Sequence, residues 1–300
     1  MVQVCEQDVA FYREQGYLVV ENVLDEVTRR RILGVIEQLT EQARGLNTHN
    51  DVYDLEPTHR PEAPRVRRVK RPHLVHPIFN ELVRSAPFLA VQQALLGRNI
   101  RLHGSKLNIK APRYGSPVEW HQDWAFYPHT NDDILAIGVM LDDVDEDNGC
   151  MLVVPGSHHG PTYDHHDDDG HFLGAMDPSA SGIDFGKAVA VTGKAGSASF
   201  HHVRLVHGSA QNFSAKPRHL LLYETAGADA WPLLGAGNFD DFNGRMICGT
   251  PTIQPRVVPT PVRMPLPPAK FQGSIYENQT ALAISRRYFR FEQPPAASHT

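Results

Sequence analysis

Cysteine is scarce, with three residues in 300, at positions 5, 150 and 248. Three widely separated thiols make no disulfide framework and suit a reducing compartment, so a cytoplasmic protein is expected. No apolar run approaches the ~18 residues of a membrane span. The opening segment, MVQVCEQDVAFYREQGY, lacks the basic start and apolar core of a secretory signal. Positive charge is also in short supply, since 29 Lys and Arg against 34 Asp and Glu leave a net charge of −5. That balance gives no general attraction to nucleic acid or to an anionic membrane, which leaves a small-molecule partner as the expectation. Nothing in the sequence sets an oligomeric state.

Hydrophobic residues make up 41% of the chain, enough for a sizeable core, and the pattern is read as a single domain over residues 1–300. Residues 8–15 read as a short helix closed by Gly16, and 17–20 as a strand. From Asp25, a good N-cap, the series Val27, Ile32, Val35, Ile36 and Leu39 repeats at helical spacing up to Gly45. Residues 46–64 are polar and broken by Pro57, Pro61 and Pro64, as in an irregular loop. A further helix is expected over 77–96, ended by Gly97, and a strand over 100–111. Strands are also expected at 134–141 and 150–154, joined as a hairpin-like unit, at 188–191 with 197–200 as a second pair, and at 220–225. The stretch 251–268 carries seven prolines and can form neither a helix nor a central strand, so it should wrap as an extended arm. A last short helix over 281–291 and a disordered tail complete the reading.

The chemistry concentrates at Glu119 to His158. His121 and Asp123 are two residues apart, and in an extended segment they point the same way and can reach one ion. A third ligand is offered by His207, with His201 and His202 as substitutes. Two histidines and one carboxylate on one face of a metal leave three positions open, the arrangement of non-haem Fe(II) oxygenases. Arg218, eleven residues beyond His207, would supply a planar, permanently charged fork for a dicarboxylate cosubstrate. The histidine and aspartate cluster at 165–171 lacks regular ligand spacing and reads as a solvated loop rather than a second metal site. Arg65, Arg67, Arg68, Lys70 and Arg71 put five basic residues in seven; they form either a surface strand or an anion site.

At His121-Gln122-Asp123, at Asn148-Gly149-Cys150 with the VPGSH at 154–158, at His207-Gly208-Ser209 and at Arg218, the chain resembles the phytanoyl-CoA dioxygenase family of Fe(II)/2-oxoglutarate oxygenases. The resemblance extends more weakly to FYREQGYLVVENVL at 11–24 and covers roughly residues 5–230. It implies a mainly β fold with flanking helices around a double-stranded β-helix (jelly-roll) core. It also implies Fe(II) on His121, Asp123 and His207, with 2-oxoglutarate and O2 as cosubstrates. The distal carboxylate of 2-oxoglutarate would meet Arg218 and the Ser209 hydroxyl, an upstream lysine such as Lys70 would assist, and the strand bearing Lys106 would line the same pocket. Hydroxylation of a small molecule, with release of succinate and CO2, is the expected outcome. Asp123 speaks against halogenation, in which the family replaces that carboxylate with a small residue. Two other readings stay open: a zinc hydrolase on the same ligands with Glu119 as base, and a binding module without turnover.

Overall fold

The computed structural model describes residues 2–113, 115–270, 275–279, 282 and 287–289. Helix α1 (Glu6–Gln15) ends at Gly16, whose φ of 82° lets its N–H reach back to the Tyr12 carbonyl. Strand β1 (Tyr17–Val20) follows, and α2 (Glu26–Gln42) starts where the Asp25 carboxylate accepts from the Thr28 N–H. Ile32, Ile36 and Leu39 form the buried stripe of α2, whereas Val27 is 71% exposed and lies off it. The segment expected to be irregular contains β2 (Tyr53–Leu55), and the basic run is β3 (Val66–Lys70).

After α3 (Pro72–Val75), the helix expected over 77–96 is two helices, α4 (Pro77–Val83) and α5 (Ala86–Leu96). Ser85 is extended between them and Pro87 follows in the first turn of α5. A proline there suits a helix start but would cost a continuous helix a hydrogen bond and a clash with the carbonyl four residues back. Apolar spacing alone runs through that break.

The remaining elements are β4 (Ile100–Lys110), β5 (Val118–His121), β6 (Ile134–Met140), β7 (Met151–Val153), β8 (Val189–Val191), β9 (Ala198–His202), β10 (His207–Ser209), β11 (Arg218–Gly227), α6 (Phe239–Gly244), β12 (Met246–Cys248) and α7 (Ile275–Asn278). Eight strands form one antiparallel sheet in the order β1-β9-β6-β11-β4-β3-β2, with β12 added beside β4. Four form a second in the order β5-β10-β7-β8. The fold is thus mainly β, two antiparallel sheets with helices outside, consistent with a double-stranded β-helix core.

The two hairpins expected from sequence neighbours do not form. β6 pairs with β9 and β11 while β7 pairs with β10 and β8, so each run expected to pair with its neighbour lies in the opposite sheet. The polar turn at 142–149 carries the chain from one sheet to the other. It is held by Asn148 Nδ2 to the Asp143 carbonyl (2.8 Å) and the Asn148 N–H to Asp145 Oδ1 (2.9 Å).

Alternation along the large sheet separates core from site. Leu107, Ile109, Leu135, Ile137, Val139, Phe200, Leu221 and Tyr223 bury in one cluster with Phe79, Phe88 and Ile32 of the helices. The intervening side chains turn toward the small sheet. Burying a residue such as Phe200 contributes about 2 kcal/mol, so the helical layer fixes which strand face is left for chemistry. Residues 251–270 contain neither helix nor strand, as expected of the arm. Of the helix expected over 281–291, Leu282, Arg287, Tyr288 and Phe289 are described and are not helical; the rest, with the tail, lies outside the described residues. Among the described residues no helix is long and apolar enough to cross a membrane, and no cysteine is in a disulfide.

Candidate active site

The cavity between the sheets takes residues from both. His121 ends β5 and His207 begins β10, and the two are directly opposite in the antiparallel register. Asp123 lies just past β5, at the start of a 3₁₀ turn rather than on the strand itself. The chain curls there, and the turn, more than strand alternation, carries the carboxylate round to the histidines. Ligand atoms of His121, Asp123 and His207 all lie within 4.8 Å of one another, and all three residues are buried. Among the described residues this is the sole such group.

Hydrogen bonds set which histidine nitrogen is available. The Nδ1 of His121 contacts the Glu119 carbonyl at 2.8 Å and that of His207 the Leu205 carbonyl at 2.9 Å. A carbonyl only accepts, so each Nδ1 carries the proton and each Nε2 presents a lone pair. This is the backbone-held imidazole usual in metal sites. Burial brings the His121 pKa down to about 4 and holds His207 well below the ordinary value, so both are neutral near pH 7. Burial opposes the charge on Asp123, yet Lys106 and His201 hold its carboxyl well below the usual carboxylate range. Two neutral nitrogens and an anionic oxygen suit a divalent transition ion.

His201 lies beside this trio. Its Nε2 is 3.5 Å from Asp123 Oδ2, whereas His121 Nε2 is 3.8 Å from Oδ1. The His201 residue is 1% exposed, and its Nε2 approaches the Asp123 carboxylate more closely than that of His121 does, so it stands beside that carboxylate as a support.

Across the cavity, β4 and β11 pair Lys106 with Leu222, Asn108 with Leu220 and Lys110 with Arg218. Arg218 and Lys110 are 3% and 1% exposed, and among the described residues neither has a carboxylate within ion-pair distance. The Lys110 ammonium donates to Ser209 Oγ at 2.9 Å and to the Ala210 carbonyl. Gly149 of the Asn-Gly-Cys motif lets this happen. It has φ 76°, and a Cβ there would meet the Ala210 carbonyl at 2.5 Å and the Lys110 ammonium at 3.0 Å. Burial lowers the pKa of both cations, and the neighbouring Arg218 lowers that of Lys110 further.

Lys106 faces the metal side and pairs with Glu224 at 3.0 Å. Glu224 stands opposite Gly104 in the register, and a Cβ on Gly104 would come 2.7 Å from its carboxylate. Lys70 is elsewhere. It pairs with Asp54 at 2.8 Å and donates to the Asn50 carbonyl, and it does not line the cavity around His121 and His207. Strand β3 turns Val69 into the core and Arg68 and Lys70 to its other face, where they share Asp54, and a bulge opposite Asp54 and Leu55 lets Val66 reach the core as well.

Other expectations shift in detail. Glu119 turns away from the metal ligands, and its Oε2 accepts from the Tyr288 N–H at 2.9 Å, so it is not placed as a hydrolytic base. Trp231 packs on Phe242 and donates to the Thr252 carbonyl. The 165–171 loop is not uniformly solvated. His165 is 1% exposed, and its Nε2 accepts from the Gln122 N–H at 2.9 Å, between the two ligands of the His-Gln-Asp motif. Sequence reasoning also missed Glu224 and Tyr276. Tyr276 reaches the cavity from α7, far outside the motif-bearing stretch, and carries no pattern that would have flagged it.

Comparison with known proteins agrees with this geometry. The family model for phytanoyl-CoA dioxygenase matches residues 12–220. A probable alpha-ketoglutarate-dependent hypophosphite dioxygenase from Stutzerimonas stutzeri is 41% identical over 93% of this chain and 97% of its own length. An ectoine dioxygenase from Bordetella bronchiseptica is 28% identical, over 70% of this chain and 71% of its own. Among solved structures, EctD from S. alaskensis with bound Fe superposes with a TM-score of 0.64 at 21% identity, covering 88% of this chain and 89% of that one. The alpha-ketoglutarate-dependent carbocyclase SnoK gives 0.60 at 25% identity, covering 83% and 93%. The clustered ligands and these matches together show that the chain belongs to the phytanoyl-CoA dioxygenase family and is an Fe(II)- and 2-oxoglutarate-dependent dioxygenase.

Proposed function

We propose that His121, Asp123 and His207 hold the iron, and that Arg218, Lys110 and Ser209 bind the distal carboxylate of 2-oxoglutarate. The observation that carries the second assignment is the pair of buried cations without a counter-anion. An uncompensated buried charge costs several kcal/mol. A dicarboxylate entering between Arg218 and the metal ligands would offset two of them at once. Ser209 is prepared for the same group. Its oxygen already accepts from Lys110, which leaves its hydroxyl hydrogen free to donate to a carboxylate.

Bound iron(II) would supply the activation of O2 that oxidative decarboxylation of the keto acid requires. The chain's own residues fix the geometry. The carbonyls of Glu119 and Leu205 lock the two imidazoles, His201 steadies Asp123, and Leu220, Leu222, Val118 and Met151 give the cavity an apolar wall. Preorganised groups beside an apolar wall act more strongly on charge than the same groups in water. Lys106 is engaged by Glu224, so we place it on the substrate side rather than on the cosubstrate.

The expected reaction is hydroxylation of a small molecule with formation of succinate and CO2, and hypophosphite, named for the 41% identical relative, is the first compound to test. Among the described residues no unengaged carboxylate stands beside the metal ligands as a base, which disfavours hydrolysis. Anaerobic titration of the iron-loaded enzyme with 2-oxoglutarate tests the reading. One iron per chain and a charge-transfer absorption that requires Asp123 are expected; a complex unaffected by Asp123→Ala would reject the ligand set.

A further inference from the structure

The cavity mouth next to Asp123 encloses about 300 Å³ and is lined by Arg68, Arg71, His103, Lys106, Tyr127 and Glu224 among others. Its charges are unevenly matched. Lys106 is neutralised by Glu224, and Arg68 shares the single Asp54 carboxylate with Lys70. Arg71 has no carboxylate or hydrogen-bond partner for its guanidinium among the described residues, although Asp51 lies in the adjoining hollow with Arg68, Lys70 and Arg71. Of the residues that line the mouth itself, Arg68, Arg71 and Lys106 are cations against the two carboxylates Asp123 and Glu224, and a metal ion on Asp123 would add to that positive excess. The excess is positive on a chain that is negative as a whole.

The backbone at Arg71 is a second, independent observation. With φ 48° and ψ 50° it is left-handed, in a residue that is neither glycine nor asparagine and that precedes Pro72. Such a conformation is strained and persists only where the surroundings enforce it. Here the Arg71 N–H donates to the Ser105 carbonyl and the Arg71 carbonyl accepts from the Leu74 N–H. Those bonds turn the chain from β3 into α3 so that the Arg71 side chain lines the mouth instead of continuing the alternation of the strand. It borders three hollows that meet there.

We infer that the substrate is a small oxyanion and that Arg71 is the residue that selects it, presenting the anion's X–H bond toward the position beside Asp123. This rests on the iron and 2-oxoglutarate reading above. The chemistry balances without a further reactant: one atom of O2 enters the X–H bond to give X–OH, the other enters the keto acid, and succinate and CO2 leave. For a P–H anion, the phosphorus centre is oxidised by two electrons and the keto acid supplies the other two.

The test measures hypophosphite binding by calorimetry to anaerobic enzyme carrying Fe(II) and 2-oxoglutarate, with phosphite and phosphate as competitors and a neutral phosphinate ester as control. Arg71→Gly removes the guanidinium while suiting the left-handed backbone, so folding is not put at risk. Hypophosphite should bind the wild type, be displaced by the other oxyanions but not by the ester, and weaken as salt rises. Arg71→Gly should weaken it about ten- to a hundredfold, the worth of a charge-assisted bond, with 2-oxoglutarate affinity unchanged. Arg71→Lys should recover part of the loss. Unchanged hypophosphite affinity in Arg71→Gly overturns the proposal, as does wild-type enzyme that forms its iron and 2-oxoglutarate complex yet binds none of the three oxyanions. If that complex itself does not form, the underlying reading fails and this one with it.

Discussion

Replacing Arg218 with alanine should weaken cosubstrate binding about a hundredfold while leaving the stability of the cosubstrate-free protein little changed. The guanidinium is 3% exposed, close to Lys110, and its Nε has no partner among the described residues. In the free enzyme it is therefore a burden, and its removal relieves repulsion within a buried cationic pair. With 2-oxoglutarate present the balance reverses, because a charge-assisted contact is worth about 1.5–3 kcal/mol, or roughly 10- to 150-fold in Kd. At a concentration one hundred times the wild-type Kd, ligand binding stabilises by about 2.7 kcal/mol. For a chain of 300 residues that is a rise in Tm of roughly 4 °C. A hundredfold weaker variant at the same concentration gains only about 0.4 kcal/mol, a shift of about 1 °C. Thermal denaturation with and without 2-oxoglutarate on Fe(II)-loaded protein reads both numbers. A wild-type ligand shift in Arg218→Ala would refute the assignment, and a large drop in the ligand-free Tm would refute the claim that the cation is uncompensated.

Asp123→Ala should lose iron binding and turnover with the fold retained, as judged by iron content and circular dichroism, since Asp123 is the single carboxylate in the ligand cluster. His201→Ala should weaken iron affinity about 10- to 100-fold through loss of support for Asp123, with 2-oxoglutarate affinity of the iron-saturated protein little changed. Acidification should destabilise the fold through His165, whose pKa burial brings down to about 3 while its Nε2 accepts from Gln122. The folded ring resists a proton that the unfolded chain takes up below about pH 6.5, so stability present above that pH falls by up to about 1.4 kcal/mol per unit toward pH 3. Urea midpoints between pH 7 and pH 4 check this, and His165→Gln should flatten the slope.

Much of the site was legible because its parts are marked locally. His121-Gln122-Asp123 and His207-Gly208-Ser209 carry their ligand types at short, recognisable spacing, and the direct pairing of β5 with β10 brings them together. Gly149 was legible as a motif residue, though its role, space for the Lys110 ammonium, needed coordinates. Strand partners were not legible. The runs at 134–141 and 150–154 look like one hairpin, but in this fold the connection passes between sheets, and pairing depends on residues more than 35 positions away. Lys70 illustrates a related limit, for sequence distance suggested a cosubstrate lysine, whereas the pleat of β3 gives it to Asp54 and the next strand supplies Lys110 instead. Tyr276 and Glu224 are ordinary residues in ordinary contexts, and only the closing of the two sheets makes them part of the cavity.

The central claim is that one metal ion sits among His121, Asp123 and His207 with the keto acid's far carboxylate on Arg218. Crystals grown without oxygen in Fe(II) and 2-oxoglutarate, measured at the iron absorption edge, test it most directly. The account predicts a single strong anomalous peak between those three side chains and ligand density running from it to the Arg218 guanidinium. A peak at another cluster, or a keto acid whose distal carboxylate lies away from Arg218 and Ser209, would contradict it.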